Sequence, residues 1–577
     1  MLEGPRRRVR LAEFVLIVLT LIVVAQLVQV QVLDAGFYRA WAAEQRERRI
    51  TLDDPPRGVI RDRNGHLLAG NVVVYSVEAT PSQVLDPVET ARVLEGWLHT
   101  PRAQIQAELE SDKLWVLLAP QVSKEIGDQI AEQELPGITV RPRWARAYPE
   151  GSLAAHVLGF CNVAGEGFYG VEGFHDMALR PRRIEREGPV DLFSQPVPWT
   201  VLPVVLPESG DALVLSLDRT IQAMVEQELA QAVMAYQADG GTIIVMDTRT
   251  FEILAMASLP NYDPGRYQEF VREDLSASVL PFTDPAISEQ YEPGSVFKVL
   301  TVAAALDAGV VSPETTYYDP GWMEVGGVPI HNSSPDLQGE YTVADILIHS
   351  LNVGAAWLST RMGADTFYHY LLGFGVGQRT GVDLAGEATG QVWTPNDYAY
   401  WHDANLGTNA FGQGVAVTPL QMITAVATVA NGGERLRPYV VARRIAPDGT
   451  EFTHQRRVEA QVISPETAQQ VAEIMVRTVD EGIPEAQVAG YRVAGKTGTA
   501  QIPVPGGYDP QGTIASFVGF GPWPEPQVVI LVKLDRPRTS PWASHTAAPT
   551  FQRVMTRLFG MLRIPPQDVD MAQVVVP

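Results

Sequence analysis

The stretch Tyr291-Glu292-Pro293-Gly294-Ser295-Val296-Phe297-Lys298 decides how the rest of the chain is read. Its Glu-Pro-Gly run breaks the backbone just before Ser295, so the serine is expected to open the first turn of a helix over residues 296–308. Residues three apart share a helix face, which brings the Lys298 amine toward the Ser295 hydroxyl. A hydroxyl nucleophile placed beside an amine obtains its base without a histidine. The first N–H groups of such a helix point outward and favour negative charge developing at the serine. The chain holds only five lysines and takes the rest of its positive charge from arginine. Arginine stays protonated at any useful pH, whereas a buried lysine can shed its proton and act as a base. Lys113, Lys124 and Lys533 have no comparable company and read as ordinary surface residues.

A second lysine motif, Lys496-Thr497-Gly498-Thr499, precedes the breakers Pro503, Pro505, Gly506 and Gly507. It reads as a strand at a sheet edge, where the glycine permits close approach of a ligand backbone. Lys496 supplies positive charge, and the hydroxyls of Thr497 and Thr499 suit a carboxylate. The Thr499 N–H can pair with the Ser295 N–H as an oxyanion hole. Ser350-Leu351-Asn352 interrupts an apolar helical run over 343–358. Taken alone it reads as a helix cap or break, because serine and asparagine compete for backbone hydrogen bonds. Its functional reading is a hydroxyl that relays protons and an amide that holds a substrate peptide.

Gly490 to Thr497 is also a literal Gly-x-x-x-x-Gly-Lys-Thr match, with 243–247 as the partner strand of a phosphate loop. That fold needs a buried strand before the loop and a helix starting at its lysine. Residues 466–480 are helical in pattern instead, and Pro503 and Pro505 forbid a useful helix downstream.

With 577 residues, two or more domains are expected. The net charge of −23 and the lack of a basic, aromatic-interleaved patch exclude nucleic acid as the natural partner. Cys161 is the single cysteine, so no disulfide framework or thiolate cluster is available, and it reads as a small buried apolar residue. His66, His156, His175, His331 and His402 show no ligand spacing, so neither a metal nor a cofactor is expected.

Arg6, Arg7, Arg8 and Arg10 precede residues 14–33, which are apolar apart from Thr20, Gln26, Gln29 and Gln31. Roughly twenty such residues span a bilayer core. The arginines place the first end in the cytoplasm and the remainder outside the cell membrane. A cleaved signal peptide fits less well, since the apolar run is too long for one. The expected organisation is a cytoplasmic tail at 1–13, a transmembrane anchor at 14–33, an extracytoplasmic pedestal at 34–210, a catalytic domain at 211–563 and a tail at 564–577. Within the pedestal, helices are expected at 91–98 and 121–134, a tight turn at Asn64-Gly65, and a linker or loop at 195–206. From residue 211 strands at both ends of the domain enclose a helix-rich middle. That pattern implies an α/β (α+β) fold, one antiparallel sheet flanked by helices.

The three motifs, in this order, resemble those of the penicillin-binding protein and serine β-lactamase superfamily. The resemblance covers nearly the full chain and points to the class B, monofunctional penicillin-binding proteins. Arg57-Gly58-Val59-Ile60-Arg61-Asp62-Arg63-Asn64-Gly65 is similar to the family's first pedestal motif. Arg146-Ala147-Tyr148-Pro149 with Ala154 to Gly159 is similar to the second, and Gly170-Val171-Glu172 to the third. Phe411-Gly412-Gln413-Gly414 and Thr418-Pro419-Leu420-Gln421 match within the catalytic part. Phe251 departs from the pattern where a glycine is usual, and the segment 543–549 lacks the usual paired glycines.

The resemblance implies a peptidoglycan D,D-transpeptidase that acts on stem peptides and is acylated by β-lactams. Ser295 is the implied nucleophile, Lys298 its base, Ser350 the proton relay and Asn352 the clamp on the substrate amide. Lys496 holds the field positive, Thr497, Gly498 and Thr499 take the substrate, and the Ser295 and Thr499 N–H groups form the oxyanion hole. A partner glycan polymerase of the SEDS type, other wall-synthesis or divisome proteins and a role in division ahead of elongation are implied too. The rival within the same pocket is a membrane-anchored β-lactam sensor or a non-catalytic scaffold.

Overall fold

A computed structural model describes residues 55–182, 208–271 and 281–567, together with the backbone of two short strands, Glu47–Ile50 and Arg186–Pro189. These two strands pair antiparallel, Glu47 opposite Pro189. The expected tail at 1–13, anchor at 14–33 and linker at 195–206 lie outside the described residues. Among the described residues, no helix is long and apolar enough to cross a membrane.

The strand Ile60–Arg61 turns at Asn64-Gly65 into the long strand Leu67–Ala79. The Asp62 carboxylate fixes that turn by accepting the N–H groups of Asn64 and His66 at 2.9 and 2.8 Å. Leu67–Ala79 pairs on its two sides with Val116–Val122 and Ile138–Ala147. The helices Pro87–Leu98, Arg102–Leu109 and Lys124–Glu132 bury Leu94, Ile105 and Ile130 against it. The helix expected over 121–134 starts later, because Val116–Val122 continues as a strand and Ser123 caps Lys124–Glu132 by accepting the Ile126 N–H.

The three pedestal motifs meet at one carboxylate. Glu172 is fully buried, and its Oε2 accepts from Arg57 Nε at 2.8 Å while its Oε1 accepts from Arg146 Nε at 2.6 Å. The Tyr148 hydroxyl donates to Oε1 from 3.3 Å, and Arg57 also reaches Asp176 at 2.8 Å. A buried carboxylate held by two guanidiniums locks three distant stretches of chain, since removing any member strands a charge. Ile60–Arg61 then runs parallel to Ala212–Leu215, which pairs onward with Val441–Ile445. One sheet therefore crosses the expected pedestal boundary at residue 210.

The catalytic part is built on five antiparallel strands in the order Ile253–Leu259, Gly240–Asp247, Val528–Asp535, Gly507–Gly521, Ala494–Val504. The beginning and the end of the domain thus make a single sheet, as expected. Side chains alternate across it. Ile243, Val245 and Phe517 pack under the helices Arg219–Tyr236 and Ala547–Met561, whereas Ile244, Met246 and Val518 face the helix Lys298–Asp307 and its neighbours. Ala494–Val504 lies at the sheet edge, which leaves its lysine motif next to the nucleophile's helix.

Candidate active site

Ser295 lies in a 3₁₀ turn, Gly294–Phe297, that runs directly into the α-helix Lys298–Asp307. The expected helix over 296–308 therefore begins one turn tighter. Gly294 has φ +58°, and a Cβ there would stand 3.1 Å from the Thr499 carbonyl oxygen. That closeness sets the backbones around Ser295 and Thr499 beside each other.

The proton chemistry is visible in five contacts. Lys298 Nζ donates to Ser295 Oγ at 3.0 Å, to the Ser350 carbonyl at 2.6 Å and to Ser350 Oγ at 3.2 Å. Lys496 Nζ donates to the same Ser350 Oγ at 3.1 Å and also reaches Thr497 Oγ1 at 3.3 Å. Both lysines are buried. Burial drives the Lys298 amine well below its ordinary value, and repulsion from Lys496 pushes the same way. Burial alone lowers Lys496, to about 7. Two ammonium groups beside one hydroxyl repel each other, and a neutral Lys298 removes that repulsion from Lys496. The arrangement can hold a free base at Lys298 and a cation at Lys496.

Ser350 adopts φ +57°, a left-handed conformation uncommon for a residue with a side chain. It separates the helices Val343–Ile348 and Asn352–Met362, so the helical run is broken at the motif, as its serine and asparagine suggested. The bend aims both the carbonyl and the hydroxyl of Ser350 at Lys298. Asn352 opens the second helix and donates Nδ2 to the His331 carbonyl at 2.9 Å, which leaves its Oδ1 as the acceptor for a substrate N–H.

On the edge strand, Thr497 and Thr499 are half-buried while Lys496 and Gly498 are buried, the alternation of a strand with one solvated face. Thr499 Oγ1 accepts from the Ala543 N–H at 3.1 Å and keeps its own proton for donation. Gly498 is there for a reason the sequence did not give. A Cβ at this position would fall 2.6 Å from the Pro293 carbonyl oxygen and 2.7 Å from Val296. On the side where a Cβ would stand, the backbone that approaches Gly498 is the nucleophile's own turn. Lys496 stands inside a strand with no helix beginning at it, which removes the phosphate-loop alternative.

Lys298, Ser350, Lys496, Thr497, Gly498 and Thr499 are linked to the Ser295 turn by these contacts, while Asn352 follows Ser350 by two residues and contacts His331. The neighbourhood holds more than they do. Lys533, read as a surface residue, is buried, paired with Asp535 and stacked 5.5 Å over the Tyr291 ring. The error came from judging it by its immediate sequence neighbours, when its company is Asp535 on the same strand and Glu289 and Tyr291 in the segment leading to Ser295. Lys113 and Lys124 are exposed and ion-paired at the surface, as expected. Glu292 is also buried, accepting the Gly414 N–H at 2.9 Å and the Tyr508 hydroxyl at 3.2 Å. Phe251, the departure from the glycine pattern, has φ +59° with a fully buried ring, so the position does call for glycine-like geometry. Cys161 is buried, and desolvation pushes its thiol up to about 11, which makes it an inert apolar filler.

Residues 241–556 match the penicillin binding protein transpeptidase domain, and residues 52–168 match the penicillin-binding protein dimerisation domain. The chain belongs to the penicillin-binding protein transpeptidase family. Stage V sporulation protein D of Bacillus subtilis is 33% identical over 522 residues, 89% of this chain and 79% of that protein. Peptidoglycan D,D-transpeptidase FtsI of Escherichia coli is 29% identical over 534 residues, 91% of this chain and 86% of that protein. The crystal structure of penicillin-binding protein 3 from Mycobacterium tuberculosis complexed with aztreonam superimposes with a TM-score of 0.69 at 28% identity, covering 89% of this chain and 98% of that one. The pairing of a dimerisation domain with a transpeptidase domain in one chain is the class B arrangement that the motifs indicated.

Proposed function

We propose that this chain cross-links peptidoglycan as a D,D-transpeptidase working through an acyl-Ser295 intermediate. The observation that carries the proposal is the 3.0 Å contact between a buried, readily neutral Lys298 and the Ser295 hydroxyl. Lys298 Nζ takes the Ser295 proton as Oγ bonds to the carbonyl carbon of the penultimate D-alanine. The Ser295 and Thr499 N–H groups stabilise the oxyanion, Asn352 Oδ1 accepts the substrate amide, and Lys496 with Thr497 and Thr499 binds the terminal carboxylate. Gly498 keeps that strand against the nucleophile's turn. The C–N bond then breaks, and Ser350, refilled from Lys298, hands a proton to the departing D-alanine amine. A neighbouring stem-peptide amine attacks the ester and regenerates Ser295. β-Lactams enter the same path and stop at the acyl-enzyme.

A fluorescent penicillin is expected to label the purified protein at Ser295, and labelling that survives Ser295→Ala would refute the nucleophile. Labelling without release of D-alanine from a pentapeptide substrate would favour the sensor or scaffold reading.

The arginines before residues 14–33 support a single-pass anchor with the catalytic domain outside the membrane. The pedestal and anchor are then the surfaces for a membrane-embedded SEDS-type glycan polymerase. The Phe411-Gly412-Gln413-Gly414 segment favours septal synthesis over elongation. Midcell localisation of a tagged copy tests the site of action, and co-purification with a polymerase of that type tests the partner.

A further inference from the structure

Lys533 belongs to a row that crosses the whole catalytic sheet. Gly498 lies opposite Ser516, Ser516 opposite Lys533, Lys533 opposite Thr242, and Thr242 opposite Ser258. Directly opposed residues share a face, so these five side-chain positions form one lateral band. The band is on the nucleophile's side, because the space above Gly498 is filled by Pro293 and Val296. Its Ser516, Lys533, Thr242 and Ser258 carry polar side chains on four adjacent strands, whereas the next row on the same face holds Val518, Leu531, Ile244 and Met256 on those strands. Ser516 Oγ reaches the Gly498 carbonyl at 3.5 Å, and Thr242 Oγ1 lies 3.2 Å from Ser258 Oγ.

The segment leading into Ser295 is laid along this band. Asp284 accepts from Ser258 Oγ at 3.1 Å at the far strand. Glu289 lies 3.6 Å from Lys533 Nζ above the middle strand, with the Tyr291 ring 5.5 Å from the same amine. Pro293 and Val296 then rest on Gly498 at the near edge. The middle anchor is the one nearest the nucleophile in sequence that is ionic, and it grips the chain at two residues. A cation held by Asp535 from its own strand and by Glu289 and Tyr291 from above fixes both the height and the register of the approach.

Resting on the transpeptidase reading, we propose that Lys533 is a positioning residue for Ser295: by pinning Glu289 and Tyr291 to the middle of the sheet, it holds the nucleophile at its attack distance without touching substrate.

The test separates binding from chemistry. Stopped-flow labelling with a fluorescent penicillin yields a non-covalent dissociation constant and an acylation rate for the full chain. Wild-type labelling at Ser295 is the control, and its absence would defeat the transpeptidase reading itself. With labelling in hand, Lys533→Met is expected to slow acylation roughly 10- to 100-fold with the dissociation constant within about twofold of wild type. Lys533→Met leaves the Asp535 carboxylate without its partner, so a lowered melting temperature is expected and the rates are compared at a temperature where the variant is folded. Glu289→Gln, at a position 39% exposed, is expected to slow acylation in the same direction, and the double variant to be no slower than Lys533→Met alone. An unchanged acylation rate in Lys533→Met overturns the proposal, as does a weakened dissociation constant that accounts for the whole loss. If Lys533→Met does not fold, an unchanged rate in Glu289→Gln overturns it equally.

Discussion

Lys298 and Lys496 donate to one and the same oxygen, the Ser350 hydroxyl, from 3.2 and 3.1 Å. Two N–H donors fill both lone pairs of that oxygen, so its own proton is free to go to a third group. This geometry suits Ser350 to the proposed proton relay and the two amines to a division of labour.

The division of labour fixes a pH dependence. Acylation needs Lys298 neutral and Lys496 charged. The rate should rise with pH through the depressed Lys298 value and fall as pH passes about 7, where Lys496 loses its proton. The acylation rate against pH is therefore expected to be bell-shaped. In Lys496→Arg the falling limb near 7 should vanish even though the rate is lower, because a guanidinium does not titrate there.

Ser350 carries both a hydroxyl and a left-handed backbone, and two variants separate them. Ser350→Gly keeps the backbone at ease and removes only the hydroxyl, whereas Ser350→Ala also retains the backbone strain. Both should lose about 10²–10³ in acylation rate if the proton relay dominates. Only Ser350→Ala should lower the melting temperature relative to Ser350→Gly, as read by calorimetry.

Gly498→Ala puts a methyl 2.6 Å from the Pro293 carbonyl and 2.6 Å from Ser516 Oγ. The edge strand has to move away from the nucleophile's turn, separating Thr499 from Ser295. Acylation should fall about 100-fold, the usual penalty for an ångström-scale misplacement. Crystallography of the variant should show the gap.

Burial raises the Glu292 carboxyl, against the opposing effect of its bonds from Gly414 and Tyr508. For an acid raised on folding, the native state holds the extra proton, so stability falls as pH climbs from the ordinary glutamate value through the raised one. Glu292→Gln keeps an acceptor without the charge and should flatten that part of the stability–pH curve. Tyr508→Phe removes a contact between the 504–507 hairpin and this carboxylate, and should speed hydrogen exchange in residues 501–512 without altering the core strands.

Phe251 combines a left-handed backbone with a fully buried ring. Relief of the backbone is worth about 1–2 kcal/mol, while loss of a buried phenyl costs about 3–5 kcal/mol. Phe251→Gly should therefore destabilise by roughly 2–3 kcal/mol in denaturant unfolding, with acylation by penicillin unchanged.

The catalytic motifs were legible because each is local. Ser295 and Lys298 are one turn apart, and the Lys496 strand is marked by its own alternation and the prolines after it. The order of strands from both ends of the domain was legible too, because their apolar runs bracket the helices. What the sequence concealed is non-local. Lys533 looks solitary in Val-Lys-Leu, and besides Asp535 two positions on, its partners come from residues 289 and 291, over two hundred positions away. Gly498 signalled a close approach without saying that Pro293 was what approached. The break in the run at 343–358 was legible from Ser350 and Asn352, but not the left-handed bend that aims Ser350 at Lys298.

The shared sheet has a consequence for anyone who would cut the molecule. Leu213 is fully buried, donates its N–H to the Val59 carbonyl at 2.9 Å, and is shielded by the strand Ile60–Arg61. A recombinant fragment starting at residue 211 would bare that backbone as a sticky ribbon, primed to recruit a second copy. A soluble, monodisperse catalytic fragment should begin near residue 55, although residues 55–182 give Ser295 no hydrogen bond.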